Sequence, residues 1–211
     1  MRIIDITATI APDMVVYKNI DKNRPVQEVT RQMPEDSANE TALWLAMHTG
    51  THFDAPRHMI ADGGQIMESL PLEKLITRCR VLDLTHLQDG ITQADLEPFD
   101  IKKGEFIILK TRNSAEDFFN PEYIYVKEDG ARYLAQMGIN GVGIDSLGIE
   151  RAQPNHETHI TLFRHNIIIL EGLRLAEVEA GEYILIALPL KIRNAEGSPT
   201  RAVLIEGELT L

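Results

Sequence analysis

The sequence predicts an α/β domain, or α+β in the looser sense: a mixed sheet with a few helices. Three observations carry that reading. Short aliphatic and β-branched runs with period-two alternation recur along the chain. In the second half they are interspersed with short helical patterns. No internal repeat, low-complexity stretch or linker divides residues 1–211, so the chain reads as a single domain.

The elements follow in order. Residues 3–9 alternate as a short strand. Residues 26–33 and 41–48 form a second and third, joined by the polar stretch 34–40. Asp62-Gly63-Gly64 is a turn. Residues 72–77 make a helical turn and 80–84 a strand. Thr92 caps a short helix through Leu96, with Asp95 three residues on. Residues 106–110 are a buried strand of Ile and Leu, and 129–137 a helix stopped by Gly138. Residues 141–145 form a strand, 158–165 a helix, 167–170 an apolar strand and 183–188 another. Residues 200–209 close the chain as a strand.

Composition narrows the function classes. The chain is 44% hydrophobic and 25% charged, the mix of a globular protein with a core. A net charge of −11 repels nucleic acid and anionic membrane, and 6% aromatic content offers no base-stacking platform. The single cysteine, Cys79, excludes an intramolecular disulfide. Arg78 and Arg80 flank it, but the alternating run around it reads as a strand and the thiol as structural. The N-terminal residues include Asp5 and no long apolar run, so neither a signal peptide nor a membrane span is expected, and the cytoplasm is the expected location.

The chemistry concentrates in the run from His48 to His58. His48, Gly50, His52, Asp54, Pro56 and His58 are all even-numbered, so an extended chain would place them on one face. Gly50 would let another segment approach the backbone closely. A helix is disfavoured, because Thr49, Gly50, Thr51, Phe53 and Pro56 are poor helix formers. Two imidazoles and a carboxylate suit Zn²⁺, and also Mn²⁺ or Fe²⁺, with positions left open for water. The competing reading is a polar patch or turn cluster. A second group holds His156, Glu157, His159, His165 and Glu171. Glu171 ends the apolar run 167–170, where a carboxylate is costly unless paired or metal-bound. Pattern alone leaves His159 and Glu171 between a metal role and a capping or surface role. His86, His156 and His165 read as loop or surface residues.

The motif His48-Thr-Gly-Thr-His52-Phe-Asp54-Ala-Pro56-Arg-His58 resembles that of the cyclase family of metal-dependent hydrolases, His-x-Gly-Thr-His-x-Asp-x-Pro-x-His. Bacterial kynurenine formamidase and isatin hydrolase belong to that family. The likeness extends to residues 1–9, Gly143-Ile144-Asp145-Ser146, 159–171, 188–190 and 197–202. It implies the swivelling β/β/α domain of the cyclase / kynurenine formamidase type, assembled as a homodimer or homotetramer. It also implies that His48, His52 and Asp54 hold a first metal, that Asp54 bridges to a second held by His159 and Glu171, and that His58 is the catalytic histidine. Where formamidases of the family carry Met-Pro-Val-Trp/Tyr-Pro-Gly, this chain has Met14-Val-Val-Tyr17-Lys18-Asn19. That loop is expected to shape the substrate pocket.

With these residues, the resemblance implies a hydrolase acting on a small amide or formamide, aryl ones included. One or two Zn²⁺ ions, or Mn²⁺ or another divalent ion, would lower the pKa of water to about 7. His58 is placed to shuttle the proton the leaving nitrogen needs. Tyr17 and Trp44 are candidates to line an aromatic-substrate pocket, although a core role for Trp44 competes. The alternatives are a cyclase or a lactone or cyclic-amide hydrolase using the same metal, and a non-catalytic metal-binding homologue.

Overall fold

Most of the strands expected from period-two patterns join one sheet. A computed structural model describes residues 1–61 and 64–207. Its strands are β1 (Arg2–Asp5), β2 (Val26–Arg31), β3 (Glu40–Trp44), β4 (His52–Asp54), β5 (Ile76–Asp83), β6 (Phe106–Lys110), β7 (Gly141–Ile144), β8 (Ile168–Glu171), β9 (Gly181–Pro189) and β10 (Gly197–Glu206). The helices are α1 (Gln93–Leu96), α2 (Glu128–Met137) and α3 (Glu157–Arg164), with several single 3-10 turns between elements. The sheet runs β1-β10-β4-β8-β7-β6-β5-β9, and β9 pairs again with β10. Seven strands therefore close into a barrel-like ring, and β1 lies outside it on β10. Strands β5 to β8 are parallel to one another; the pairings of β4, β9 and β10 are antiparallel.

Strand β6 shows why the central runs are apolar throughout. Phe106 and Ile108 point into the ring with Cys79, Leu170, Leu185 and Leu204, whereas Ile107 and Leu109 point outward to Leu134, Ile144 and Phe163. A strand covered on both faces has no solvent side on which polar residues could alternate. Each such side chain contributes roughly 1.5–3 kcal/mol on full burial. The outer layer is α2 and α3. Helix α2 stops where expected, Gly138 taking φ 68°. The Thr92 hydroxyl and the Asp95 carboxylate cap α1 reciprocally. Cys79 is buried in the ring interior, and burial pushes its thiol up to about 12, so the structural reading of that cysteine stands.

Several boundaries move. The opening strand ends at Asp5 rather than residue 9, because the Thr7 hydroxyl, instead of a backbone pair, both accepts from Ala202 N and donates to Ala202 O. The strand expected over 80–84 begins at Ile76, extended by its pairing with β9. The closing strand begins at Gly197; residues 208 and 209, like Asp62 and Gly63 of the expected turn, lie outside the described residues. The strand expected over 41–48 stops at Trp44. Strands β2 and β3 form their own two-stranded ribbon, in which every residue except Arg31 is exposed.

Candidate metal centre

The parity of two strands brings the site together. Phe53 of β4 and Leu170 of β8 point into the ring interior. Their neighbours must point the other way, toward the helix layer. In that position His52 pairs across the ladder with Glu171, and Asp54 with Ile169. Helix α3 packs there through Leu162 and Phe163 and carries His159. His52, Asp54, His159 and Glu171 are all buried, an unusual density of ionisable groups in a protein interior.

The single extended face expected from His48 to His58 does not form. Only His52 and Asp54 share a strand face; Gly50 turns the chain with φ 66°, and Pro56–His58 is a 3-10 turn. Both flanking histidines still reach the site. The half-buried His48 places Nδ1 2.7 Å from Asp54 Oδ1, and its ring stacks 4.0 Å from that of His58. The backbone approach expected at Gly50 is made by Gly172, which follows β8. A Cβ on Gly172 would lie 2.2 Å from the Gly50 carbonyl oxygen, so this crossing admits only glycine. The same carbonyl lies 2.9 Å from His52 Nδ1. A carbonyl only accepts, so Nδ1 carries the proton and, in the neutral ring, the lone pair lies on Nε2.

The remaining distances test whether these groups suit a metal. His52 Nε2 lies 3.4 Å from both Asp54 Oδ1 and Glu171 Oε2. His159 Nε2 lies 3.3 Å from Asp54 Oδ2 and 3.5 Å from Glu171 Oε1. Two donors each ~2.1 Å from one tetrahedral ion stand about 3.4 Å apart, so the spacing matches ligands sharing a first-row ion better than a set of tight hydrogen bonds. His52 Nε2 is buried without a hydrogen-bond partner among the described residues. Three groupings among the described residues bring possible ligand atoms together: His52, Asp54 and Glu171; His48, Asp54 and His58; and Glu150, His156 and His159. Glu171 thus faces His52 as well as His159, and His48 reaches Asp54 while its ring stacks on that of His58. The donor set, two carboxylates and three imidazoles, fits a divalent ion in charge and chemistry.

Electrostatics agree with that fit. Burial opposes charge on Asp54, yet the imidazoles of His159, His48 and His52 around it hold its carboxyl well below the ordinary range. Burial also opposes protonation of His52, but Asp54 and Glu171 outweigh it and push the ring up to about 10. A site that attracts protons this strongly attracts metal ions by the same charges. His58 behaves in the opposite sense. Burial, with His48 and His159 nearby, lowers its pKa below 6.5, so it is neutral at pH 7.

A cavity of about 390 Å³ opens onto these groups. Tyr17, Lys18, His48, Asp54, His58, His159 and Glu171 line it. Trp44 does not: it is 52% exposed on the β2–β3 ribbon, far from the core role that competed for it. Its even-face relation to His48 is lost because the chain leaves the strand at residue 45. Two acidic residues at the site carry no sequence signal. The buried Glu150 follows β7 in an irregular loop and places Oε2 3.0 Å from His159 Nδ1. Glu196 places Oε1 3.7 Å from His48 Nε2. His156, read as a surface residue, is half exposed, but its ring contacts Glu150 and borders the cavity.

Similarity to known proteins matches this geometry. A family model described as putative cyclase matches residues 4–151, a span that holds His48 to His58. A kynurenine formamidase from Bacillus cereus is 37% identical over 172 residues, 80% of each chain. One from Salinibacter ruber is 32% identical over 207 residues, 97% of each chain. The solved structure of a potential metal-dependent hydrolase with cyclase activity is 45% identical and superimposes with a TM-score of 0.91 over 98% of both chains. Isatin hydrolase A from Labrenzia aggregata is 25% identical with a TM-score of 0.85, over 98% of this chain and 94% of that one. A family match over more than half the sequence, joined to this closed sheet and its histidine–carboxylate site, places the chain in the cyclase family.

Proposed function

We propose that this protein is a metal-dependent hydrolase that cleaves the carbon–nitrogen bond of a small amide or formamide, arylformamidase-like in its substrate. The observation that carries the proposal is the buried His52 Nε2, unpartnered and 3.4 Å from two carboxylates beside a cavity large enough for an aryl amide. His48, His52, Asp54, His159 and Glu171 would hold one or two divalent ions, with zinc the first candidate and Mn²⁺ tolerated by the same donors. Such an ion supplies Lewis acidity for the carbonyl and acidifies water.

The chain's own residues account for the rest. The Gly50 carbonyl holds His52 in one tautomer. The backbone N–H of Ile149 donates to Glu171 Oε1 at 2.6 Å and fixes that carboxylate. His58, neutral at pH 7, takes a proton from water and returns it to the departing nitrogen. Tyr17 offers an aromatic wall of the cavity.

Support for assembly comes from the β2–β3 ribbon. It exposes Val26, Val29, Leu43 and Trp44, and an isolated two-stranded ribbon is marginal in water, so a second copy covering it in a homodimer or homotetramer is the natural completion. The acidic balance supports a small-molecule substrate rather than nucleic acid or membrane. No helix among the described residues is long and apolar enough to cross a membrane, and a cytoplasmic location is the working assignment.

The deciding experiment is hydrolysis of N-formylkynurenine by zinc-loaded protein beside a His52→Ala variant. Turnover that vanishes in the variant supports a metal-dependent formamidase. A metal-loaded protein that leaves N-formylkynurenine intact discards that substrate. Isatin belongs in the same assay, because Lys18, which lines the cavity, and Asn19 stand where formamidases carry Pro-Gly. A cyclic amide is therefore the second reading.

A further inference from the structure

We propose that Glu150 is a positioning residue: its carboxylate orients the His159 ring toward Asp54 and Glu171 and thereby sets how tightly the site holds its divalent ion. The inference rests on the metal-dependent reading above and goes beyond the ligand set itself. His159 reaches Asp54 Oδ2 and Glu171 Oε1 through Nε2, which leaves Nδ1 as its outer nitrogen. That nitrogen is buried, and a buried ring N–H without an acceptor is costly. Glu150 Oε2 stands 3.0 Å away, off the line of an ideal hydrogen bond, and also accepts the backbone N–H of His159 at 3.2 Å. One carboxylate oxygen therefore accepts the backbone N–H of His159 and stands beside the ring nitrogen of the same residue.

Two further features indicate that Glu150 is held for this task. Its other oxygen contacts His156 Nδ1, and His156 adopts φ 52° at the start of α3, a left-handed conformation that non-glycine residues rarely take. The strained residue is thus tethered to the same carboxylate that faces His159. From behind, the Tyr123 hydroxyl donates to the Glu150 backbone carbonyl, and Arg151 donates to the Tyr123 carbonyl at 3.0 Å. The contrast with His52 is instructive. A neutral carbonyl backs that ring, whereas a carboxylate backs His159, and a charged partner makes the imidazole a stronger donor to metal.

The test compares Zn²⁺ affinity, by chelator competition, among wild type, Glu150→Gln and Glu150→Ala, with the visible spectrum of each Co²⁺-loaded protein recorded alongside. Glu150→Gln keeps the shape and one acceptor but loses the charge. The expected result is a loss of affinity of about 10- to 100-fold for Glu150→Ala and a smaller loss for Glu150→Gln, with an altered Co²⁺ spectrum in both. Thermal unfolding of the metal-free variants checks that they fold. Variants that fold and bind Zn²⁺ as wild type does, with unchanged Co²⁺ spectra, overturn the proposal while leaving the metal-dependent reading intact. A wild type that binds neither ion overturns both.

Discussion

Strand β4 and the β2–β3 ribbon begin from the same kind of sequence, short runs mixing apolar and polar residues, and end with inverted burial. In β4, His52, Phe53 and Asp54 are all buried although two of the three are polar. In the ribbon nearly every residue is exposed although Val26, Val29, Leu43 and Trp44 are apolar. The difference lies in neighbours. Strand β4 is flanked by β8 and β10, with the ring interior on one face and α3 on the other. Among the described residues the ribbon pairs only with itself. Buried polarity in the one marks chemistry, and exposed apolarity in the other marks an unfinished surface.

Four changes sharpen or break that contrast. The largest effect belongs to His58→Ala, which should lower turnover by about 10²- to 10⁴-fold while the protein keeps its metal. Steady-state kinetics with parallel metal analysis decides it, and full activity in a metal-loaded variant removes His58 from the mechanism. Next comes Phe53→Ala, between the two ligands of β4. Its ring is fully buried, and truncation should cost about 3–5 kcal/mol by urea denaturation.

The third concerns metal removal and pH. Without metal, burial opposes the charged His52 ring, but Asp54 and Glu171 raise its pKa from 6.5 to about 10. That contribution to stability is complete below pH 6.5 and is lost as pH rises through about 10. A bound ion takes the proton's place on the ring, so the alkaline loss should disappear in metal-loaded protein, and metal affinity should fall toward acid pH. Thermal melts at both ends of that range, with and without chelator, compare the two states; equal alkaline loss in both would rule out His52 as a ligand. The smallest effect is expected in the ribbon, where Val29→Ala should change the stability of the isolated chain by no more than ~0.5 kcal/mol. A charge at the same exposed position, Val29→Lys, should instead shift the oligomer toward monomer in sedimentation. An unchanged assembly would place the interface elsewhere.

Legibility varied with the range of the interaction that decides each element. Strand β6 could be placed to the residue because an uninterrupted Ile and Leu run has one stable home, covered on both faces. Helices α1 and α2 were readable through their local signals, the Thr92–Asp95 cap and Gly138. The edges of β1, β5 and β10 were not, because distant pairing partners extend or end them. In the site, His52 and Asp54 were placed by alternation. His48 and His58 were grouped with them for the wrong geometric reason, since turns at Gly50 and Pro56 rather than one extended face bring them in. Glu150 left no trace, because an irregular loop has no periodicity from which to infer where a side chain points.

By itself the amino-acid order determined the fold class, most of the strands and helices, and a metal-suited cluster between His48 and His58. These depend on contacts between near neighbours in the chain, which backbone stereochemistry makes periodic. Tertiary structure alone decided that seven strands close into a ring, that Glu171 meets His52 across a ladder, that Glu150 stands behind His159, and that Trp44 is exposed outside the lining of the cavity. Those outcomes depend on which distant surfaces bury one another, and burial is a property of the packed chain as a whole.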